Sequence, residues 1–389
     1  MPQPTIKTDR INRLIEAIGL KYFLRFSQRV KAESTVKLQE IPSDRVLEVV
    51  SENLTLTLVM IAFLIGALST VPAVLVEIYY QGVWERWYYY GVLSLVTLLF
   101  LIIEVGILYW LGIRGAYTLA YLTGYQEDEE LALPPEYDVK KMMVRAALEI
   151  EDPSIEYLGI DPQKYVSPRW LLVSTLLYKA KIVLTTLVAK LVLKKVAMRY
   201  GVRMGFAWVA IPVTALWDAI VMYRVIQDAK LRLFGYHLSR YIAQEIMTQE
   251  HLSHYSEGIA EGAIRAISTL MVMAKNYHPN NVLLLIRLNE VFAIEEEKNY
   301  DDLPYYLEYL ERLPPKDRHL LRMLSGVSAV FDGKMTRAEK QALEQIFGEE
   351  RERYMAFTKR LKAELLSGHL HQAATLCEEG MITGWNEKV

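Results

Sequence analysis

One cysteine, Cys377, stands in a chain of 389 residues. No intrachain disulfide can form, a zinc site of several thiolates is excluded within one chain, and the water-exposed parts suit a reducing cytoplasm. The familiar catalytic signatures are missing too: there is no Walker loop, glycine-rich dinucleotide turn, His-Glu-x-x-His, Cys-x-x-Cys or nucleophile elbow. Their absence weighs against an enzyme. A formal net charge of −2 offers no basic excess for nucleic acid. The first residues, MPQPTIKTDRINRL, hold no apolar run and no cleavage pattern, so they read as the start of the mature chain. No internal repeat with a period of about 20 to 50 residues is found.

What the chain has in quantity is apolar side chain, 52% of residues. Two uncharged runs, Asn53 to Val76 (24 residues) and Trp87 to Ile103 (17 residues), flank the stretch VWERWYYYG at 83 to 91. Runs of that length suit helices crossing a hydrocarbon layer of about 30 Å. Five aromatic rings around Glu85 and Arg86 suit the headgroup level, where a ring is apolar on one side and wet on the other. The stretch reads as a tight turn between two transmembrane helices, with a kink expected at Pro72. Residues 1 to 52 carry nine Lys or Arg and the turn at 81 to 86 carries one. The positive-inside rule then puts the N-terminus in the cytoplasm and the aromatic turn outside.

Residues 10 to 50 place Ile11, Leu14, Ile15, Ile18, Leu20, Phe23, Leu24 and Phe26 among basic residues at helical spacing. Such helices lie either on the inner membrane surface or against the rest of the protein, and both readings stand. Residues 115 to 169 form a cytoplasmic insert with an acidic run at 127 to 130, breaks at several prolines and a short helix from about Val139 to Ile150.

Two further apolar stretches follow. WLLVSTLLYKAKIVLTTLVAKLVLKKVAMRYGVR is interrupted by Lys179, Lys181 and Lys190, and MGFAWVAIPVTALW is short for a span before Asp218 and Arg224. Were both true crossings, the basic connection between them would lie outside. Residues 170 to 226 are therefore expected to form a basic hairpin embedded from the cytoplasmic side, its lysines reaching anionic headgroups. Four crossings remain the alternative.

From 227 to 389 apolar residues recur at 3.6-residue spacing among many charges, which predicts a cytoplasmic all-α domain. Within it, Leu320, Leu321, Leu324, Val327 and Phe331 share a helix face, Asp332-Gly333 breaks the helix, and Thr336 with Glu339 makes a capping box. An EF-hand register would put Val330, which cannot ligate calcium, at a ligand position. The DG-x-x-T-x-x-E turn after an apolar helix resembles the TerB-like module of tellurite-resistance proteins over about 30 residues of this chain. The resemblance implies a small helical module of bacterial membrane-associated stress systems, with Asp332 and Glu339 as divalent-metal ligands. The second DG turn that many such domains carry is missing.

Two more groups merit attention. On one continuous helix, Glu250, His254, Glu257 and Glu261 would form an acidic stripe with a histidine in it, a metal-ligand pattern or a solvated face. Glu104 lies about 6 Å beyond the middle of its span at about 1.5 Å rise per residue. An ionisable residue there needs a partner, and Lys179 or Lys181 qualifies. A protonated, hydrogen-bonded side chain is the bland alternative. With Asp218 these form the intramembrane polar set.

The expected protein is thus all-α: a bacterial multi-pass inner-membrane chain with both termini cytoplasmic. No cofactor is expected, a divalent metal being the one candidate, and its partners are anionic lipid and a protein or a second copy. Its expected role is non-enzymatic interaction or regulation, with ion or small-solute transport through Glu104, Lys179 and Lys181 as the alternative.

Overall fold

A computed structural model describes residues 5–7, 10–33, 41–123, 137–160, 206–294 and 298–383. The chain is helical, and its strands among the described residues are two short ones, β1 (Thr5–Lys7) and β2 (Ser154–Glu156), paired antiparallel with Ile6 opposite Ile155. The helices are α1 (Arg10–Glu33), α2 (Asp44–Tyr80), α3 (Arg86–Leu122), α4 (Val139–Leu148), α5 (Phe206–Tyr241), the single turn α6 (Gln249–Leu252), α7 (Ile259–Ala274), α8 (Pro279–Phe292), α9 (Leu303–Arg312), α10 (Pro315–Val330), α11 (Arg337–Phe347), α12 (Arg351–Ser367) and α13 (Leu370–Glu378). They divide into two compact units: one of residues 1–51, 116–166 and 227–389, the other of 52–115 and 167–226.

In the second unit, α2 and α3 are long and apolar enough to cross a membrane. The turn between them falls where the aromatic stretch predicts, since α2 ends at Tyr80 and α3 starts at Arg86. Its rings stack on one another, Tyr80 on Trp84 at 3.9 Å and Trp84 edge-on to Tyr88 at 5.0 Å. The expected boundary at 52/53 falls inside a continuous helix, within one residue of the division between the compact units at 51/52. α2 begins at Asp44 and runs 37 residues without interruption, because neither Glu48 nor Glu52 disfavours helix and Pro72 leaves the element continuous. Likewise the apolar stretch from Phe206 opens a 36-residue helix that passes Asp218 and Arg224 and ends at Tyr241, so the boundary at 226/227, where the compact units divide, falls inside a helix. Lys179, Lys181 and Lys190 lie outside the described residues.

The first unit is built around α10, which packs against α7 and α12. The five residues assigned to its inner face, Leu320, Leu321, Leu324, Val327 and Phe331, are all buried, each burial contributing on the order of 1.5–3 kcal/mol. The helix ends at Val330, Gly333 takes a left-handed φ of +67°, and Thr336 caps the next helix. Thr336 Oγ1 accepts from Glu339 N at 3.1 Å while Thr336 N donates to Glu339 Oε2 at 2.7 Å, which is the expected capping box.

Sequence-distant pieces close the same unit. α1 packs on α4, and Arg145 donates from Nε and Nη2 to the two oxygens of Glu16 at 3.1 Å each, out of water. Asp44, the first residue of α2, caps α13 by accepting from His371 N and Gln372 N at 2.8 and 2.9 Å. Beside it, the His369 ring meets Glu364 at 2.7 Å and Glu48 at 3.3 Å. Burial opposes charge on this ring, but the two carboxylates outweigh it and raise its pKa.

The Glu16–Arg145 pair is open to direct test. Arg145→Met leaves a buried carboxylate unpaired and should lower unfolding free energy by about 3–5 kcal/mol, whereas Glu16→Leu with Arg145→Met should recover most of the loss. Denaturant unfolding of the purified chain measures both, and equal loss in the single and double variants would contradict the assignment.

Candidate functional site

Gly66, Ser69 and Thr70 share one face of α2, since residues three and four apart are neighbours on a helix. Two carboxylates reach this turn from different helices. Glu104 of α3 is 2% exposed, and its Oε2 accepts from Ser69 Oγ at 2.5 Å. Asp218 of α5 is 3% exposed, and its Oδ2 lies 2.5 Å from where a Cβ on residue 66 would stand. The α5 backbone is close as well, with Ala215 Cα 3.0 Å from the same point. Glycine is required here because a methyl group would push into both. The neighbouring hydroxyls are taken up locally: Thr70 donates to Gly66 O and Thr214 to Ala210 O, each at 2.9 Å. Of the four intramembrane polar residues predicted, the structure therefore brings Glu104 and Asp218 to one turn, and Lys179 and Lys181 lie outside the described residues. Ser69 and Gly66 were missed. Their signal is GALST, a run of small and hydroxyl residues inside a helix of large apolar ones.

The DG turn uses its carboxylates differently. Asp332 Oδ1 accepts from Lys334 N at 2.9 Å, and Glu339, 1% exposed, is committed to the cap. Burial first and the Glu339 charge second push the Asp332 carboxyl up to about 7, against the Lys334 amide and the Lys334 and Lys362 charges. Burial raises Glu339 also, against its bonds to Thr336. The residue at the calcium-loop position before them, Ser328, sits inside α10 and donates to Asn281 Oδ1 at 3.0 Å, so no EF-hand loop forms.

The stripe expected on one helix at 250 to 261 does not exist as a stripe. Thr248 caps the single turn α6, the chain turns from 253 to 258, and α7 starts at Ile259. The cause is tertiary: Asp317 accepts from the Ser256 amide at 3.0 Å and from its hydroxyl, holding the backbone out of the helix. Glu250 stays on α6, His254 and Glu257 fall in the turn, and Glu261 pairs with Arg265 at 2.7 Å. Glu257 lines an open pocket of about 360 Å³ together with Gln249, Ser253, Tyr255 and Phe292. Among the described residues no three His, Cys, Asp or Glu side chains gather as a metal site.

A second buried polar group, around Arg232, is not among the residues that the sequence pattern singles out. Arg232 holds Asp152 at 2.7 Å and Asp228 at 2.8 Å, and His278 lies buried beside them with neither ring nitrogen hydrogen-bonded. Burial, then the Arg232 charge, lowers its pKa to about 3, so this ring is neutral.

No protein-family model, no curated protein and no solved structure matches the chain.

Two outcomes follow from these geometries. Gly66→Ala should cost about 1–3 kcal/mol by overpacking, while Gly106→Ala, with nothing within 4 Å of its added Cβ, should change stability by less than about 1 kcal/mol. Thermal midpoints in detergent compare the two. For Asp332, folding raises the pKa from 3.8 to about 7, so the folded chain retains a proton that the unfolded chain has released. Stability should therefore be highest below the unfolded value, fall as pH rises between the two, and level off above the folded one. Asp332→Asn should flatten that part of the curve, and an unchanged slope would show that the carboxyl is not responsible.

Proposed function

We propose that the chain is a membrane-anchored, non-enzymatic interaction or regulatory protein of a bacterial inner membrane. In this reading α2 and α3 cross the bilayer, residues 170–226 embed from the cytoplasmic side, and both termini are cytoplasmic. The helical residues 227–389 then receive a protein partner or a divalent ion. The observation that carries the reading is where large apolar side chains meet solvent. On α2 they are Leu56, Leu64 and Leu68, and on α3 Leu95, Leu98 and Ile102, all exposed. Only 6% of the most apolar window of α3 is buried, the opposite of a soluble core helix. Trp87, 90% exposed, stands at the turn where a ring would meet headgroups. The resemblance of the DG turn to TerB-like modules supports a stress-related role and an ion at Asp332 and Glu339.

The second reading, an oligomeric ion or small-solute transporter, is favoured by one observation: Glu104 and Asp218 converge on the same turn of α2. Carboxylates held in a low-dielectric layer are expensive, and function is the usual reason for keeping them. In this reading Lys179 and Lys181 complete the polar path.

Sidedness tests the anchored reading. In a Cys377→Ala background, Gln81→Cys should react with an impermeant thiol reagent on intact cells, and Glu349→Cys only after the membrane is opened. Failure of the first, or reaction of the second in intact cells, would overturn the topology. Glu104→Gln then separates the roles: an anchor keeps partner binding with little change, whereas a transporter loses flux in proteoliposomes.

A further inference from the structure

We propose that the outward face of α1 binds the anionic headgroups of the membrane surface. The inference rests on the membrane reading above and adds to it a site and a ligand class. The inward face of α1 is accounted for: Glu16, Gly19 and Phe23 are buried, Glu16 on Arg145 and Phe23 edge-on to Tyr117 at 5.3 Å. The outward face is made of Arg13, Leu14, Ala17, Ile18, Lys21, Tyr22 and Arg25, all exposed. These are two adjacent ridges of i, i+4 spacing, one apolar (Leu14, Ile18, Tyr22) and one basic apart from Ala17 (Arg13, Lys21, Arg25).

A helix facing water has no reason to present a Leu-Ile-Tyr row. A protein-docking face is ordinarily poor in charge at its centre and carries both signs at its rim. Here the charge is of one sign, because the acidic residue of this stretch, Glu16, is turned inward and neutralised. An apolar row flanked by cations, with aliphatic stems that can lie along the surface while their heads stay wet, suits the boundary between acyl chains and phosphates.

The end of α3 on which α1 packs carries the same kind of residues. Phe23 and Phe26 pack on Tyr117 of α3, at 5.3 and 6.1 Å between ring centres. Tyr117 stands three residues past Arg114, roughly 4.5 Å along the helix axis. Arg114 in turn lies 5.5 Å over the Trp110 ring, an aromatic–cation pair of the kind that marks the headgroup level. At the start of α2, Val46 and Val49 are exposed as well.

The test uses the full chain with Cys377→Ala, reconstituted in nanodiscs of phosphatidylcholine alone or with phosphatidylglycerol added. A nitroxide on Ile18→Cys reports collisions with oxygen and with a water-soluble nickel chelate, and a nitroxide on Leu98→Cys of α3 reports the hairpin in the same way. The expected result is a several-fold shift of the Ile18 site toward oxygen in the anionic discs only. Lys21→Gln with Arg25→Gln should abolish that shift while leaving the Leu98 site in lipid. An Ile18 site equally embedded in both lipids would overturn headgroup recognition and leave only apolar insertion. A site open to the chelate in both would overturn the proposal and assign the face to a protein partner or a second copy. A Leu98 site open to the chelate would instead sink the membrane reading itself.

Discussion

A carboxylate taken out of water needs a donor in the same space, and this constraint organises the buried parts of both units. In the first unit Glu16 is held by Arg145, Asp152 by Arg232, and Asp317 by the amide and hydroxyl of Ser256. Each joins segments that the apolar pattern alone would leave free to slide. In the second unit the donor is weaker, since Glu104 has a serine hydroxyl where the others have a guanidinium or an amide. A neutral hydroxyl stabilises a charge less than a cation does. The same constraint is thus met by latches between distant segments in one unit and by a hydroxyl contact between two helices in the other.

The first unit is assembled from three separated pieces of chain, and its defining contacts span great lengths of sequence. Glu16 and Arg145 are 129 residues apart, and Asp44 and His371 are 327 apart. Loop-closure cost grows only logarithmically, by about 0.6 kcal/mol per doubling of length. The intervening chain is itself folded back as well. A Cβ on Gly115 would lie 2.5 Å from Leu58, so the helical hairpin returns near its starting point before residues 116–166 begin. Once the hairpin exists, the effective loop between α1 and α4 is short, and their buried ion pair becomes attainable.

Local signals were legible where the reason for the structure is local. The turn at 81 to 86, the helix starting at Val139, the inner face of α10 and the Thr336–Glu339 box all depend on residues within a few positions of one another. What could not be read depends on distant partners. The segment expected to be helical at 250 to 261 holds Gly258, Ser253 and Ser256 but no proline, and it is opened by Asp317, 61 positions from Ser256. α2 and α5 run past the places where charge resumes, because a change of surroundings need not end a helix. Both carboxylates of the polar set were visible as charges in apolar runs. Their common destination was not, since it is set by a glycine on a third helix.

That glycine explains why the two carboxylates differ in their surroundings. Glu104 has reach enough to find Ser69 across the width of two helices, whereas the shorter Asp218 comes close to α2 only because residue 66 carries no side chain. Ala215, one turn before Asp218 on α5, is small and fully buried, so the two backbones approach at that level. Small residues at a helix crossing are how apolar helices associate tightly where water exclusion gives no driving force. The acidic group at the crossing would then be held by packing and by the bond that a longer neighbour makes one turn along.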